Sequence, residues 1–213
     1  MPEERRGEFW RLRDRYIHHF QEGDLSLIKL LPGVEERTGV RLSLTDLMIS
    51  IVALALREHP AANALWTGEA IQRAPQVNVG LAIATPSGLL VPVIHEADKL
   101  TVSEVATRRL DLVERARSGK LALEDFQGGT FTLTNLGMYG IDVFNAILNP
   151  PQATILAVGR IAERPAVRDG QIVARPLMYV TLSSDHRQLD GAEAAQFLQR
   201  IRELVENPYL LLI

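Results

Sequence analysis

Apolar residues recur along this chain at two spacings, one typical of helices and one typical of strands. Five segments are predicted to be helices from their spacing or charge pattern: residues 1–15, 24–38, 43–58, 102–119 and 191–206. Ser43 or Thr45 is the expected N-cap of the third helix. In the fourth helix, Val105, Leu110 and Val113 are expected to face the core.

Alternating apolar residues and turn signals indicate a strand-rich middle. The predicted strands are residues 76–85, 89–94, 130–134, 153–158 and 177–184. The turn Thr85-Pro86-Ser87-Gly88 predicts one hairpin, and Asp169-Gly170 predicts another. Because helices bracket these strands, we expect a two-layer α/β domain with one mixed β-sheet covered by helices on one side.

Composition narrows the class of protein. The 213 residues suit one domain, and the formal net charge of -3 offers no basic surface for nucleic acid. No apolar run approaches the roughly 20 residues that cross a bilayer, and residues 1–15 lack the apolar stretch of a signal peptide. We therefore expect one cytoplasmic domain over residues 1–213, with 1–17 as a peripheral N-terminal helix and with no nucleic acid or membrane partner.

The chain contains no cysteine. This absence excludes disulfides, Cys-ligated metals and a Cys nucleophile, and no other ligand spacing predicts a metal site. Any thiol chemistry must therefore use thiols that arrive on substrates.

His186 leaves the end of a predicted strand and is followed four residues later by Asp190 and then by Gly191. A histidine moves protons near neutral pH because its reference pKa is about 6.5. A nearby carboxylate can orient the ring or the loop. The alternative is a surface loop in which Asp190 is a helix N-cap and His186 is solvated.

Thr134 ends another predicted strand, before a loop studded with glycines. Acyl transfer passes through a tetrahedral oxyanion, which needs a hydrogen-bond donor placed in advance. The Thr134 hydroxyl is such a donor, and its β-branch stiffens the side chain. The local pattern alone favours a plain strand with a glycine-rich turn.

Together these two segments resemble the acyltransferase (E2) component of 2-oxo acid dehydrogenase complexes. Residues 186–191 are similar to the family signature H-R-x-x-D-G, and 131–137 to the F-T-[IL]-[ST]-N-x-G part of its T-F-T-[IL]-[ST]-N-x-G segment. Residues 78–99 and 149–159 are similar as well, so the resemblance covers about 42–213. It implies a chloramphenicol-acetyltransferase-like, CoA-dependent acyltransferase fold.

The same resemblance implies an activity and roles for residues. The family moves an acyl group between dihydrolipoamide and coenzyme A, both as substrates, in a channel between subunits. His186 would take the proton from the attacking thiol, Thr134 would donate to the oxyanion, and Asp190 would orient the loop. Thr134 and His186 would then come from different chains, and the acyl group is expected to be acetyl, with succinyl and branched-chain types open.

The implied assembly is a homotrimer, often part of a cubic or dodecahedral core. Lipoyl domains would be partners, and the E1 and E3 components indirect ones. The apolar tail 209–213 is expected to form a contact between trimers.

Departures from the family pattern leave alternatives open. The chain has no lipoyl or subunit-binding domain, and its first 41 residues match poorly, so Arg13 and Arg15 are only candidate partners for Asp190. One alternative is a stand-alone CoA-dependent acyltransferase acting on a small alcohol or amine. Another is a non-catalytic core scaffold.

Overall fold

A computed structural model describes residues 17–19, 39–168, 170–207 and 210–211. Its α-helices are α1 (Leu44–Glu58), α2 (Val102–Arg117) and α3 (Gly191–Glu206). Its strands are β1 (Ile17–His19), β2 (Ala64–Trp66), β3 (Ile71–Arg73), β4 (Val79–Leu81), β5 (Ile83–Thr85), β6 (Gly88–Leu90), β7 (Val93–Ile94), β8 (Phe131–Asn135), β9 (Thr154–Arg168) and β10 (Gln171–Ser184). The helices predicted at 1–15 and 24–38, together with Arg13 and Arg15, lie outside the described residues.

Each of the three described α-helices begins at a capping box, in which an N-cap side chain and the acidic residue three positions later satisfy each other's backbone N–H groups. The N-caps are Ser43, Thr101 and Asp190. The predicted helices at 43–58, 102–119 and 191–206 are thereby confirmed, and the capping residue of the first is Ser43.

The inward face of α2 differs from the prediction at one position. Val105 and Leu112 are buried, whereas Leu110 is 45% exposed. Five residues of α-helix turn through about 500°, which places Leu110 about 140° away from Val105 around the axis, whereas Leu112, seven residues on, lies within about 20° of it. The expectation that Leu110 faces the core was therefore wrong.

The principal sheet has six strands in the order β1-β10-β9-β8-β4-β7. The pairs β4–β8 and β8–β9 are parallel, and the other neighbours are antiparallel. The expected mixed sheet is therefore confirmed, as is the hairpin at Gly170, where Arg168 pairs with Gln171.

Several strand boundaries differ from the predictions. The single strand predicted at 76–85 is two strands, because β4 joins the principal sheet while β5 pairs with β6 in a separate hairpin. The strands β9 and β10 are longer than predicted because they continue as a two-stranded ribbon beyond the other pairings. The short pair β2–β3 was not predicted.

The two faces of the principal sheet have different cover. Apolar side chains on one face belong to a single buried cluster with α1 and α3: Val79, Phe131, Leu133, Leu156, Val158, Val180 and Leu182. The alternate positions point the other way, because successive side chains of a strand lie on opposite faces. We call this other face, which includes Thr132, Thr134, Ala157 and Ser183, the second face. Helices therefore cover one side, as expected.

A buried ion pair joins α1 to α2. The Asp46 carboxylate, fully buried, accepts from Arg109 at 2.5 Å (Nε to Oδ1) and 3.1 Å (Nη2 to Oδ2). The same carboxylate accepts from the backbone N–H and hydroxyl of Ser43, each at 2.7 Å. One side chain therefore completes a helix cap and fixes the packing of two helices.

Asp46→Ala should lower the free energy of unfolding by about 3 kcal/mol, because it leaves the largely buried Arg109 without its partner. Denaturant unfolding followed by circular dichroism measures the loss. The matched control is Asp111→Ala, which removes the exposed carboxylate that pairs with Arg115 one helical turn away and should cost less than about 0.5 kcal/mol. Equal losses in the two variants would contradict the role of the buried pair.

Candidate functional site

His186 lies at the exposed apex of the loop between β10 and α3. It makes no hydrogen bond to any residue that the structure describes. The loop around it is well anchored: Leu189 is buried in the core, and the Asp185 N–H continues the β-ladder by donating to the Ala153 carbonyl at 2.8 Å. An accessible imidazole is thus carried on a fixed backbone.

Asp185 is the most heavily bonded side chain of this loop. Its carboxylate accepts from the Arg187 backbone N–H at 3.0 Å, from Arg187 Nε and Nη2 at 3.0 and 2.6 Å, and from Gln188 Nε2 at 3.2 Å. Burial raises the pKa of the Asp185 carboxyl, but the hydrogen bonds from Arg187 and Gln188 outweigh it and hold the pKa below its usual range. Asp185 is therefore ionised at neutral pH.

Arg187 and Gln188 connect the loop to neighbouring elements. The Arg187 guanidinium lies 4.7 Å from the centre of the Trp66 ring, in a cation–π contact. Gln188 Nε2 lies 3.4 Å from the Pro151 carbonyl, which also accepts from the Trp66 N–H at 2.7 Å. Sequence reasoning missed Trp66, because its strand β2 has no distinctive pattern.

Asp190 lies four residues after His186 but points to the helix that follows. Its Oδ1 accepts from the Glu193 N–H at 2.8 Å, and its own N–H donates to Glu193 at 3.3 Å. No hydrogen bond joins Asp190 to His186 in the described part of the chain. Asp190 thus acts on the loop by fixing where α3 begins.

Thr134 lies on the second face, half-exposed, near the end of β8. No hydrogen bond to another described residue occupies its hydroxyl, which is therefore available as a donor. The next residue, Asn135, points to the helical side and donates to Thr45 Oγ1 at 3.2 Å, while its Oδ1 accepts from the Gly137 N–H at 2.8 Å. These contacts fix the strand end that carries Thr134.

The structure does not bring Thr134 and His186 together within one chain. Thr134 pairs with Ala157 of β9, and Ala157 pairs with Thr181 of β10, so Thr134 is level with a point three residues before Ser184. From the dimensions of a sheet, Ser184 is about 10 Å from Thr134 along the strands and about 10 Å across them. Asp185 continues the ladder away from Thr134, and His186 follows it in the turn.

The extended segment 141–152 lies against the second face. Ser183 donates to the Ala146 carbonyl at 2.8 Å, Thr132 donates to Gln152 at 2.6 Å, and Arg160 N–H donates to the Ile141 carbonyl at 2.8 Å. The fit requires glycine at 159, where a Cβ would lie 1.9 Å from the Asp142 carbonyl oxygen. This segment leads from the loop after Thr134 to the anchor of the His186 loop.

The outer side of this segment, and of the turn before it, is apolar and uncovered. The odd-numbered side chains Tyr139, Ile141, Val143 and Ile147 are exposed, Ile147 to 90%. This apolar stripe, which the exposed Asn145 interrupts, is of the kind found at protein–protein contacts.

The apolar tail lies partly outside the described residues. Leu210 and Leu211 pack half-buried against the core of their own chain. Tyr209, Leu212 and Ile213 are not described, so the predicted contact between trimers stays a prediction.

The described residues show neither a membrane-spanning helix nor a metal-binding cluster. No helix among them is long and apolar enough to cross a membrane. No group of three or more His, Asp or Glu side chains among them could hold a metal ion. The chemistry available in one chain is thus two separated parts: an accessible imidazole and a free hydroxyl donor.

The chain matches the family model described as 2-oxoacid dehydrogenases acyltransferase (catalytic domain) over residues 22–213. It is 43% identical over 178 residues to the dihydrolipoyllysine-residue acetyltransferase component of the pyruvate dehydrogenase complex from Rickettsia felis. It is 45% identical over 179 residues to the corresponding succinyltransferase component of the 2-oxoglutarate dehydrogenase complex from Bartonella vinsonii. These matches cover 84% of this chain but only 43% and 44% of those proteins, so the chain spans less than half the length of these relatives.

Solved structures match the fold closely. The cubic core of the pyruvate dehydrogenase multienzyme complex superposes with a TM-score of 0.86 at 33% identity, over 92% of this chain and 82% of that one. Chloramphenicol acetyltransferase superposes with a TM-score of 0.55 at 12% identity, over 96% of both chains. The expected chloramphenicol-acetyltransferase-like fold is therefore confirmed.

A third structure bears on the site. Dihydrolipoamide acetyltransferase from Azotobacter vinelandii matches with a TM-score of 0.85 at 33% identity, over 92% of this chain and 82% of that one. It was solved in work on the role of a serine, a histidine and an asparagine in its catalytic mechanism. In that protein the serine lies 52 positions before the histidine, and the asparagine lies 4 positions after it.

Asp190→Ala should lower the free energy of unfolding by about 1 kcal/mol, because α3 loses its N-cap. Asp190→Asn preserves a capping oxygen and should stay within about 0.5 kcal/mol of the parent. Thermal unfolding of the two variants, measured side by side, tests this role. A loss in Asp190→Asn as large as in Asp190→Ala would show that the negative charge of Asp190, and not the cap, stabilises the protein.

Proposed function

This chain belongs to the 2-oxoacid dehydrogenase family of acyltransferase catalytic domains, and on that premise we propose that it transfers an acyl group between coenzyme A and dihydrolipoamide. The acyl group is most simply acetyl, as in the Rickettsia relative. Succinyl is the second candidate, because the succinyltransferase from Bartonella vinsonii is as similar to this chain as the Rickettsia acetyltransferase is.

The proposed mechanism assigns one step to each part of the site. His186 accepts the proton of the attacking thiol, since the thiolate is the nucleophile. The sulfur adds to the thioester carbonyl, and the Thr134 hydroxyl of a neighbouring chain donates to the oxyanion that forms. When the intermediate collapses, the carbon–sulfur bond of the original thioester breaks and His186 returns its proton to the departing thiolate. No enzyme-bound acyl group is needed, consistent with the absence of cysteine.

One observation carries this assignment. Thr134, His186 and Asp190 have the same separations, 52 and 4 positions, as the serine, histidine and asparagine studied in the Azotobacter enzyme. Threonine preserves the hydroxyl of that serine. Asp190 replaces the asparagine, and either side chain can cap α3.

The distance between Thr134 and His186 supports a site shared between chains. A thiol within hydrogen-bonding distance of His186 and an oxyanion within reach of Thr134 must be only a few ångströms apart. The strand register separates the two residues by more than this in one chain. We therefore propose a homotrimer in which each site combines His186 of one chain with Thr134 of the next.

Other features of the proposed assembly follow from the family. The exposed apolar stripe on residues 139–147 and the half-exposed end of β8 at Thr134 are the surfaces that the neighbouring chain would cover. A cubic or larger core, lipoyl domains as partners and the E1 and E3 components as indirect ones are proposed by analogy with the multienzyme relatives. The cytoplasmic location stays a prediction.

His186→Ala should lower the rate of acetyl transfer from acetyl-CoA to dihydrolipoamide by about 10²–10⁴-fold, the usual contribution of a general base. The oligomer should remain intact, because the His186 side chain makes no hydrogen bond within the described residues. The assay follows release of free CoA, and size-exclusion chromatography checks assembly. A near-normal rate would remove His186 from the mechanism, and absence of transfer by the assembled parent would favour the scaffold alternative.

Thr134→Ala should cost about 10²-fold or more in kcat through loss of an oxyanion donor.

A mixed oligomer of Thr134→Ala and His186→Ala chains, co-expressed with different tags, tests the sharing of sites. If each site takes one residue from each of two adjacent chains, equal mixing should restore about a quarter of the parent activity. If both residues acted within one chain, the mixed oligomer would stay as inactive as its components.

A further inference from the structure

We propose that Asp185, Arg187 and Trp66, which we call the loop clamp, are positioning residues that hold the His186 imidazole in the direction needed for proton transfer. The proposal rests on the proposed function, since it concerns the same reaction. It assigns a role to three side chains that need not touch either substrate.

The clamp fixes the backbone of His186 first. The Asp185 carboxylate accepts from the Arg187 N–H at 3.0 Å and so closes an Asx-turn in which His186 is the enclosed residue. The Asp185 carbonyl accepts from the N–H groups of Gln188 and Leu189 at 2.8 and 3.1 Å. The backbone is therefore held on both sides of His186.

The side chain of Arg187 closes the clamp a second time. Its guanidinium binds the Asp185 carboxylate through two nitrogens and stacks on the Trp66 ring. An exposed ion pair alone contributes little. A forked pair that also stacks on an aromatic ring and spans a closed turn leaves few conformations open to the residue inside it.

The clamp is also tied to the sheet. Trp66 N–H and Gln188 Nε2 both approach the Pro151 carbonyl, at 2.7 and 3.4 Å. Asp185 N–H is bonded to Ala153, just before β9. The position of His186 is thereby set relative to β2 and β9.

This support is needed because His186 has none of its own. Its exposed ring makes no hydrogen bond to a described residue, so within one chain the direction of the ring depends on the backbone that carries it. Misplacing a reacting group by about 1 Å can cost on the order of 10²-fold in rate. Restricting the backbone at His186 limits the rotamers that its ring can adopt.

Steady-state kinetics of acetyl transfer by the assembled protein test the clamp. Asp185→Asn keeps an oxygen for the Asx-turn but loses the ion pair, and kcat should fall about tenfold; Asp185→Ala loses both, and kcat should fall about 10²-fold. KM for acetyl-CoA and for dihydrolipoamide should change little in either variant. Arg187→Lys keeps the positive charge but loses the fork, and should resemble Asp185→Asn.

The matched control is Asp125→Asn. The Asp125 carboxylate also accepts hydrogen bonds from two nitrogens of an arginine, Arg115, and from one backbone N–H, that of Ala122. It lies beside α2 and away from the site. The Asp125→Asn variant should lose about as much stability as Asp185→Asn while keeping the kcat of the parent. If Asp185→Ala kept the kcat of Asp125→Asn, or lost activity only through a raised KM, the positioning role would be overturned.

Tryptophan fluorescence provides a readout independent of activity. The sequence has two tryptophans, so a Trp10→Phe background leaves Trp66 as the sole reporter. Arg187→Lys and Asp185→Ala should increase quenching of Trp66 by acrylamide, and Asp125→Asn should not. If the parent transfers no acetyl group, the proposed function fails, and unchanged quenching in the clamp variants would separately overturn the clamp.

Discussion

The register of three neighbouring strands determines where the chemistry of this domain can take place. Because β8 and β9 are parallel and β10 runs the other way, the end of β8 and the end of β10 point in opposite directions. Thr134 lies one residue before the end of β8 and His186 two residues after the end of β10, and the hydrogen-bonded ladders keep them apart. The acyltransfer site that we propose therefore takes Thr134 from a second chain, and strand direction is the physical reason for proposing it.

The same sheet divides the molecule into a core side and a contact side. On one face, apolar side chains bury α1 and α3 against the strands. On the second face, hydroxyl side chains bind the backbone and amides of segment 141–152, which contributes an apolar outer stripe. Glycine at 159 is required because the segment lies directly against the β9 backbone. One face of the sheet thus carries the core, and the other carries the surface that the proposed assembly would use.

Both candidate site residues lie where a strand ends, and each strand end is fixed by a neighbour in the sequence. Asn135 ties the end of β8 to Thr45 of α1 and to the turn at Gly137. Asp185 and Arg187 enclose His186, and Asp190 sets the start of α3. Function at exposed loop positions on a rigid scaffold is a general arrangement in enzymes. Here the residues that make it rigid are adjacent to the ones that would react.

The sequence by itself determined the features that depend on local patterns. Each capping box, at Ser43, Thr101 or Asp190, spans only four consecutive residues and sets where a helix begins. The Asp169-Gly170 turn likewise sets the position of a hairpin. The motif around His186 and the segment ending at Gly137 were enough to identify the family, because their residue types and spacing recur together. Those signals involve residues that are close together in the sequence, so they can be recognised without knowledge of the fold.

Only the tertiary structure decided how distant segments meet. The split of residues 76–85 into β4 and β5 and the contact of Trp66 with Arg187 both depend on strand pairing or on partners far away in the chain. Pairing and side-chain packing override local preference, since one strand pattern fits several neighbours and several registers. For the same reason, the separation of Thr134 from His186 in one chain became visible only once the order and direction of the strands were known.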